Sequence, residues 1–145
     1  MHCKIQRQLT IALENYPGHL AAMSSAIANQ NINIEAISLI DSIEQGLIRI
    51  VVSEPILCKK ILISQGFYVI EADIIAVEIT DGLGQLARLS QVIADAKINV
   101  EYTYGSSTRP GEKMHLILKV SDLDKAYQVI AAIEESANCG FPNQG

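Results

Sequence analysis

The chain has 145 residues, of which 49% are hydrophobic and 19% are charged, and its formal net charge is −5. This composition excludes a disordered chain, because so much apolar material can form a buried core. The negative charge and the lack of any basic cluster beyond Lys59-Lys60 argue against nucleic-acid binding, and no apolar run approaches the ~20 residues that a membrane-spanning helix needs.

Cysteine usage and the N-terminus favour a cytoplasmic protein. Cys3, Cys58 and Cys139 are odd in number and far apart, which is typical of free thiols in a reducing compartment rather than of a disulfide framework. The first residues do not resemble a signal peptide.

The first half of the chain predicts six elements. Residues 1–8 are polar and are expected to form a frayed extension. Leu9, Ile11 and Leu13 alternate with Thr10 and Ala12, which predicts a strand with one buried face. A Pro-Gly turn follows, and then an amphipathic helix from Leu20 to about residues 29–31. Strands are predicted at 32–40 and 47–52, with a turn between them at 44–46. A helix capped by Ser53 continues through residue 64, and a strand is predicted at 67–71. The order β-α-β-β-α-β predicts a ferredoxin-like unit.

The second half repeats the first. Residues 18–35 return as residues 84–101, with nine of the eighteen positions identical, and such repetition indicates two copies of one structural unit. The second copy predicts strands at 75–79, 100–104 and 114–120 and helices at 85–95 and from Ser121 to about residue 135. The chain is therefore predicted to be an α+β protein with two tandem ferredoxin-like units, each an antiparallel sheet with helices on one face. The predicted division is an extension at 1–8, units at 9–73 and 74–137, and a tail at 138–145.

One edge of the second sheet lacks an obvious neighbour in this scheme. After its second helix the second copy retains only residues 137–145, too few for a full fourth strand. Because open strand edges are usually protected, we expect a short strand, another segment or a partner chain to cover the edge of residues 75–80. The hairpin at 105–113 is two residues longer than its counterpart and polar.

The turn between the first strand and first helix of each copy is a candidate binding site. The sequences are ENYPGHL at 14–20 and TDGLGQL at 80–86, and the helix that follows directs its free N–H groups and positive dipole end at the turn. Asn33 and Asn99 open the second strand, and an amide can meet both the ammonium and the carboxylate of an amino acid. The same residues also have a purely structural explanation, because a Gly-rich turn is needed to connect a strand to a helix.

The doubled pattern of strand, N/D-x-P/L-G-x-L, helix and I-N-I/V resembles the ACT domain, in two copies over residues 9–72 and 74–136. This resemblance implies ferredoxin-like units that bind amino acids and regulate metabolic enzymes, with the effector between the turn of one unit and the second strand of another. It also implies a non-catalytic homodimer that needs no cofactor. The ligand-binding residues implied by the resemblance are Asn15, Pro17, Gly18, His19, Leu20, Asn33, Asp81, Gly82, Gly84, Gln85, Leu86 and Asn99.

The sequence leaves one other function open and disfavours two. The open strand edge and low charge allow a regulatory subunit that docks on an amino-acid biosynthetic enzyme, in the manner of the acetolactate synthase small subunit. Acylphosphatases share the broad fold, but neither turn carries the arginine that their chemistry needs. The spacing of His2, Cys3, His19, Cys58, His115 and Cys139 matches no zinc site, so a metal centre is not expected.

Overall fold

The computed structural model describes residues 1–14, 17–41, 45–80, 84–106 and 112–134. Within these ranges the chain forms six strands and four helices. In chain order they are β1 (His2–Leu13), α1 (His19–Ala28), β2 (Ile34–Asp41), β3 (Gly46–Val52), α2 (Pro55–Ser64), β4 (Tyr68–Thr80), α3 (Gln85–Asp95), β5 (Val100–Ser106), β6 (Lys113–Val120) and α4 (Leu123–Ala131). The predicted polar hairpin tip (residues 107–111) and the C-terminal tail lie outside the described residues.

The chain divides into two compact units. The first unit is Arg7–Ala72, and the second combines Met1–Gln6 with the chain from Asp73 onward. β1 and β4 therefore each give one half to each unit. Every unit has two helices and four strand segments, so the predicted α+β class with tandem ferredoxin-like units is confirmed.

The first unit has the strand order β2-β3-β1-β4. β3 pairs antiparallel with both β1 and β2, and the register sets Leu9 opposite Ile50 and Ile11 opposite Ile48. Because directly opposed residues share a face, these side chains form one apolar surface. The core on that surface contains Leu9, Ile11, Leu13, Met23, Ile27, Ile32, Ile48, Ile50, Val52, Cys58 and Leu62. Both helices thus cover the same face of the sheet.

The second unit repeats this arrangement with the order β1-β4-β6-β5. β6 pairs antiparallel with β4 and with β5, and Val77 faces Leu116 as Ile11 faces Ile48 in the first unit. The core contains Met1, Cys3, Ile75, Val77, Ile79, Leu89, Ile93, Ile98, Leu116, Leu118, Val120, Ala126, Ile130 and Ile133.

The N-terminal residues are not a frayed extension, and that prediction is wrong. β1 begins at His2, Met1 and Cys3 are buried in the second core, and the Met1 ammonium donates to the carbonyl of Ile133. The sequence prediction overlooked that buried Met1 and Cys3 alternate with exposed His2 and Lys4, which is the period-2 pattern of a strand. Met1–Gln6 takes the place of the fourth strand that the second copy lacks and covers the edge of β4, so the chain itself supplies the expected cover.

Two further details differ from the sequence prediction. The strands predicted at 67–71 and 75–79 are one continuous strand, β4, because no glycine or proline interrupts residues 72–74. Ser53 does not cap α2, whose N-cap residue is Glu54. Ser53 has another role, described below.

Both units end their first helix in the same way. Asn31 follows α1 with φ = 57°, and Lys97 follows α3 with φ = 62°. The next residue in each copy donates its N–H back into the helix, from Ile32 to Ile27 and from Ile98 to Ile93. This left-handed C-terminal cap turns the chain into the following strand, near the helix end predicted at 29–31.

Candidate functional site

Each unit begins its first helix with a glycine in the left-handed region. Gly18 has φ = 90° and Gly84 has φ = 83°, values that residues with a side chain rarely adopt. A Cβ atom at Gly18 would meet no atom within 4 Å. Backbone conformation, rather than crowding, is therefore why glycine is needed at Gly18.

The start of each first helix presents free N–H groups and the positive end of the helix dipole. Ala22 donates its N–H to the Gly18 carbonyl and Arg88 donates to the Gly84 carbonyl, each at 2.9 Å. The N–H groups earlier in the first turn have no acceptor inside the helix. No acidic side chain lies in the first turn of α1 or α3, so each helix start is suited to the carboxylate of a ligand.

His19 anchors the turn of the first unit. Its Nδ1 lies 3.1 Å from the carbonyl oxygen of Glu14, and its ring stacks on Phe67, with centroids 5.1 Å apart and an interplanar angle of 25°. If Nδ1 carries the proton and donates to this carbonyl, Nε2 is an acceptor. The stack connects the β1–α1 turn with the start of β4.

A cleft of about 350 Å³ opens beside this stack. It is lined by Ala12, Leu13, Glu14, His19, Gln45, Gln65, Gly66, Phe67 and Tyr68. Its volume is at the lower end of the roughly 300–1,000 Å³ of small-molecule sites. A carboxylate, two amides and an imidazole line the cleft together with aromatic rings, a combination that suits a small zwitterion.

Most of this lining was missed by the sequence analysis. Gln45, Gln65 and Phe67 come from a hairpin and from the α2–β4 turn, which are far from His19 in sequence. The one local signal is Gly66, whose φ of 88° marks a sharp turn after α2. Contact between that turn and the β1–α1 turn depends on tertiary packing.

The predicted turn residues lie on the surface of their units. Pro17, Gly18 and Leu20 are exposed and His19 is half-buried. In the second unit Gly84 and Gln85 are half-buried, whereas Leu86 is exposed. The predicted ligand-binding residues Asn15, Asp81 and Gly82 lie outside the described residues.

Hydrogen bonds between their backbone groups and a serine hold the two repeated asparagines in place. Asn33 donates its N–H to Ser53 Oγ at 3.0 Å and accepts from the Ser53 N–H at 3.0 Å. Asn99 and Ser121 form the same pair at 3.0 and 2.9 Å. These bonds fix the start of β2 and β5, and both asparagines are exposed. Ser53 was predicted as a helix cap and Ser121 as the start of a helix, so this clamp was missed.

Asn33 and the turn do not meet inside one unit. They lie at opposite ends of α1, a helix of 10 residues, which spans about 15 Å. A site that uses both Gly18 and Asn33 therefore needs Asn33 from a second copy of the chain.

The described residues give little support to metal binding or to catalysis by a cysteine nucleophile. They contain no cluster of three or more His, Cys, Asp or Glu side chains that could hold a metal ion. Cys3 and Cys58 are buried free thiols, and burial raises the pKa of Cys58 from 9.0 to about 11, which makes it a poor nucleophile. Among the described helices, none has the length and apolarity to cross a bilayer.

Comparison with known proteins gives a family match over nearly the whole chain. A family model described as an ACT domain pair matches residues 4–137. No curated protein has a matching sequence. The solved structure of protein BT0572 from Bacteroides thetaiotaomicron is similar, with 26% identity, a TM-score of 0.83, and coverage of 89% of this chain and 88% of that one.

Two further solved structures share the fold at lower identity. The regulatory subunit of aspartate kinase from Thermus thermophilus has 16% identity and a TM-score of 0.68, covering 90% of this chain and 93% of that one. A structure of aspartokinase alpha and beta subunits has 16% identity and a TM-score of 0.65, covering 89% and 94%.

Proposed function

Because this chain belongs to the ACT domain pair family, whose domains are regulatory ligand-binding modules, we propose that it is a non-catalytic sensor of a small amino acid. The observation that carries the proposal is the glycine-started helix of each unit, whose first turn has no acidic side chain. In the first unit this turn also borders the polar cleft beside His19.

The proposed effector uses complementary parts of the site. Its carboxylate lies against the first turn of α1, where N–H groups and the helix dipole favour an anion. Its ammonium is held by the polar groups around the turn, with the exposed carboxylate of Glu14 nearest in sequence. Asn33 comes from a second copy, because α1 separates it from Gly18 within the unit. The second unit repeats the turn, and Gln85 and Asn99 are the equivalents of His19 and Asn33.

We propose a homodimer formed through the outer edge of β2. β2 ends the strand order of its unit and exposes Ile37 by 50% and Leu39 by 61%. Both face the helix side, because they oppose Ile50 and Ile48. A strand edge with apolar side chains favours pairing with another strand, and antiparallel pairing of two copies satisfies twofold symmetry. The equivalent positions of β5 are Thr103 and Gly105, so the first unit is the better dimerisation edge.

Sedimentation velocity tests this dimer with a matched control. Leu39→Lys at the β2 edge is expected to yield a monomer, because it adds a charge to the interface. Thr103→Lys places the same charge on the β5 edge and is expected to leave the dimer intact. A dimer that survives Leu39→Lys would rule out β2 as the contact.

A thermal-shift screen against the twenty amino acids tests effector binding. A ligand at about 100 times its Kd stabilises the native state by roughly 2.7 kcal/mol. For a chain of 145 residues each kcal/mol raises Tm by about 3 °C, so one or two amino acids are expected to raise it by about 8 °C. His19→Ala and Asn33→Ala are expected to remove the shift, and Gln85→Ala and Asn99→Ala report whether the second unit also binds. A flat screen would contradict the sensor function.

A second candidate function is a regulatory subunit that docks on an amino-acid biosynthetic enzyme. The observation that favours it is an apolar surface on the outside of α2, on the side of the helix away from the core of its unit. Docking and effector binding are compatible, because a ligand that favours one packing of the units shifts the docking equilibrium by its differential affinity.

A further inference from the structure

Helix α2 is apolar on two sides. Cys58 and Leu62 face the core of the first unit and are fully buried. On the outside, Ile56 is 64% exposed, Leu57 40% and Ile63 52%. A surface helix of a globular protein ordinarily has one apolar face and one polar face, so the outer face of α2 needs an explanation.

The second repeat shows that the fold does not need these apolar side chains. Alignment of Ser53 with Ser121 sets Cys58 and Leu62 against Ala126 and Ile130, which are also fully buried. The outward residues Ile56, Leu57 and Ile63 align with Asp124, Lys125 and Ala131. The inward positions stay apolar in both copies, whereas two of the three outward positions, Asp124 and Lys125, carry a charge in the second copy. Packing within a unit therefore does not explain the outer face of α2.

The charge on this face selects the type of occupant. Lys60 is exposed and lies between Ile56 and Ile63 at helical spacing. Twofold pairing of α2 with α2 of a second copy, in the register that sets Ile56 against Ile63, brings the two copies of Lys60 close together. Such like charges repel, so a second copy is a poor match. A different protein with a carboxylate opposite Lys60 fits both the apolar side chains and the charge.

We propose that the outer face of α2, formed by Ile56, Leu57, Lys60 and Ile63, docks an amphipathic helix of a partner protein that presents an apolar stripe interrupted by a carboxylate. This is helix-on-helix recognition, in which Ile56 and Ile63 are apolar anchors at i and i+7, Leu57 lies beside the first of them, and Lys60 is the charged residue at i+4. Regulation of that docking rests on the proposed effector site, but docking itself does not. Gln65 and Gly66 directly follow α2 and line the cleft beside His19, so one helix borders both sites.

Fluorescence anisotropy with labelled synthetic peptides tests this docking on the full chain. The probe is a helical peptide of roughly 18 residues, long enough to be helical when stabilised by contact, with four leucines on one face and a central glutamate. A second peptide carries lysine instead of that glutamate. The wild-type protein is expected to bind the glutamate peptide about threefold more tightly than the lysine peptide, and Lys60→Glu is expected to reverse the preference.

Two variants separate the docking surface from the rest of the molecule. Replacing Ile56, Leu57 and Ile63 by the residues of the second repeat (I56D, L57K and I63A) is expected to abolish binding of both peptides while the circular dichroism melt is retained. Gln128→Glu, at the position of α4 equivalent to Lys60, is expected to change neither peptide affinity.

Distinct results would overturn the proposal. Equal binding of the two peptides by wild-type protein, binding by the triple variant, or no binding at all would each exclude the docking surface. Self-association of the wild-type protein that the triple variant loses would identify a second copy as the occupant. The amino-acid screen gives a separate result, because the triple variant keeps the β1–α1 turn and is expected to retain the effector shift.

Discussion

Placing a charge at Cys3 tests whether the N-terminal segment is part of the second unit. Cys3 is 8% exposed and belongs to the core that contains Ala126 and Ile130. An aspartate there leaves a carboxylate in an apolar core, which costs about 3–5 kcal/mol. Since 1.4 kcal/mol is a tenfold change, amide exchange that requires opening of the second unit is expected to accelerate by at least ~100-fold.

Hydrogen exchange followed by mass spectrometry measures this effect separately in each unit. Cys3→Asp is expected to accelerate exchange strongly in β6 and α4 and much less in β3 and α2, which belong to the first unit. The control is His2→Asp, which places the same carboxylate one residue away on the exposed side of the strand. If the two variants exchange at equal rates in β6 and α4, the segment does not complete the second core, and the assignment is wrong.

Three further predictions follow from the second unit and from α2. Gly105→Ala sets a Cβ 2.5 Å from the carbonyl oxygen of His115. The free energy of unfolding, measured by urea denaturation, is therefore expected to fall by about 1–3 kcal/mol. Ser121→Ala removes the hydroxyl that accepts from the Asn99 N–H. It is expected to reduce the free energy of unfolding by about 1 kcal/mol, which is measured as a lower Tm. Because burial raises the pKa of Cys58 from 9.0 to about 11, its thiol ionises first in the unfolded chain. Stability is therefore expected to fall between pH 9 and 11, and Cys58→Ala should lack that fall in pH-dependent urea melts.

Elements with clear periodicity were predictable from sequence. The alternation of Leu9, Ile11 and Leu13, the helical spacing of Met23 and Ile27, and the exact recurrence of residues 18–35 determined the class and the repeat. These signals are local, because residues that are close in the sequence determine which side chains share one face of a strand or helix. The glycine turns were recognised for the same reason.

The N-terminal strand was not predictable in this way. Its apolar residues, Met1 and Cys3, are few, and its partners in the second core lie more than a hundred residues away, as the bond from Met1 to Ile133 illustrates. A segment that completes a distant unit leaves no local pattern beyond a short alternation. The missing fourth strand of the second copy was the only sequence signal that something had to fill that edge.

The cleft was unpredictable for a related reason. His19 was selected from its turn, but Phe67 and Gln65 reach the cleft only because α2 returns the chain to the start of β4. The serine clamp on Asn33 was missed because Ser53 has an equally good local explanation as a helix cap. In both cases the deciding contact is tertiary.

Hydrogen exchange with and without a millimolar mixture of the twenty amino acids tests the central claim most directly. The sensor account predicts slower exchange in the first turn of α1, after Gly18, and at the start of β2, next to Asn33, when the amino acids are present. Unchanged exchange in both segments would contradict the account, whether no amino acid binds or one binds elsewhere on the molecule.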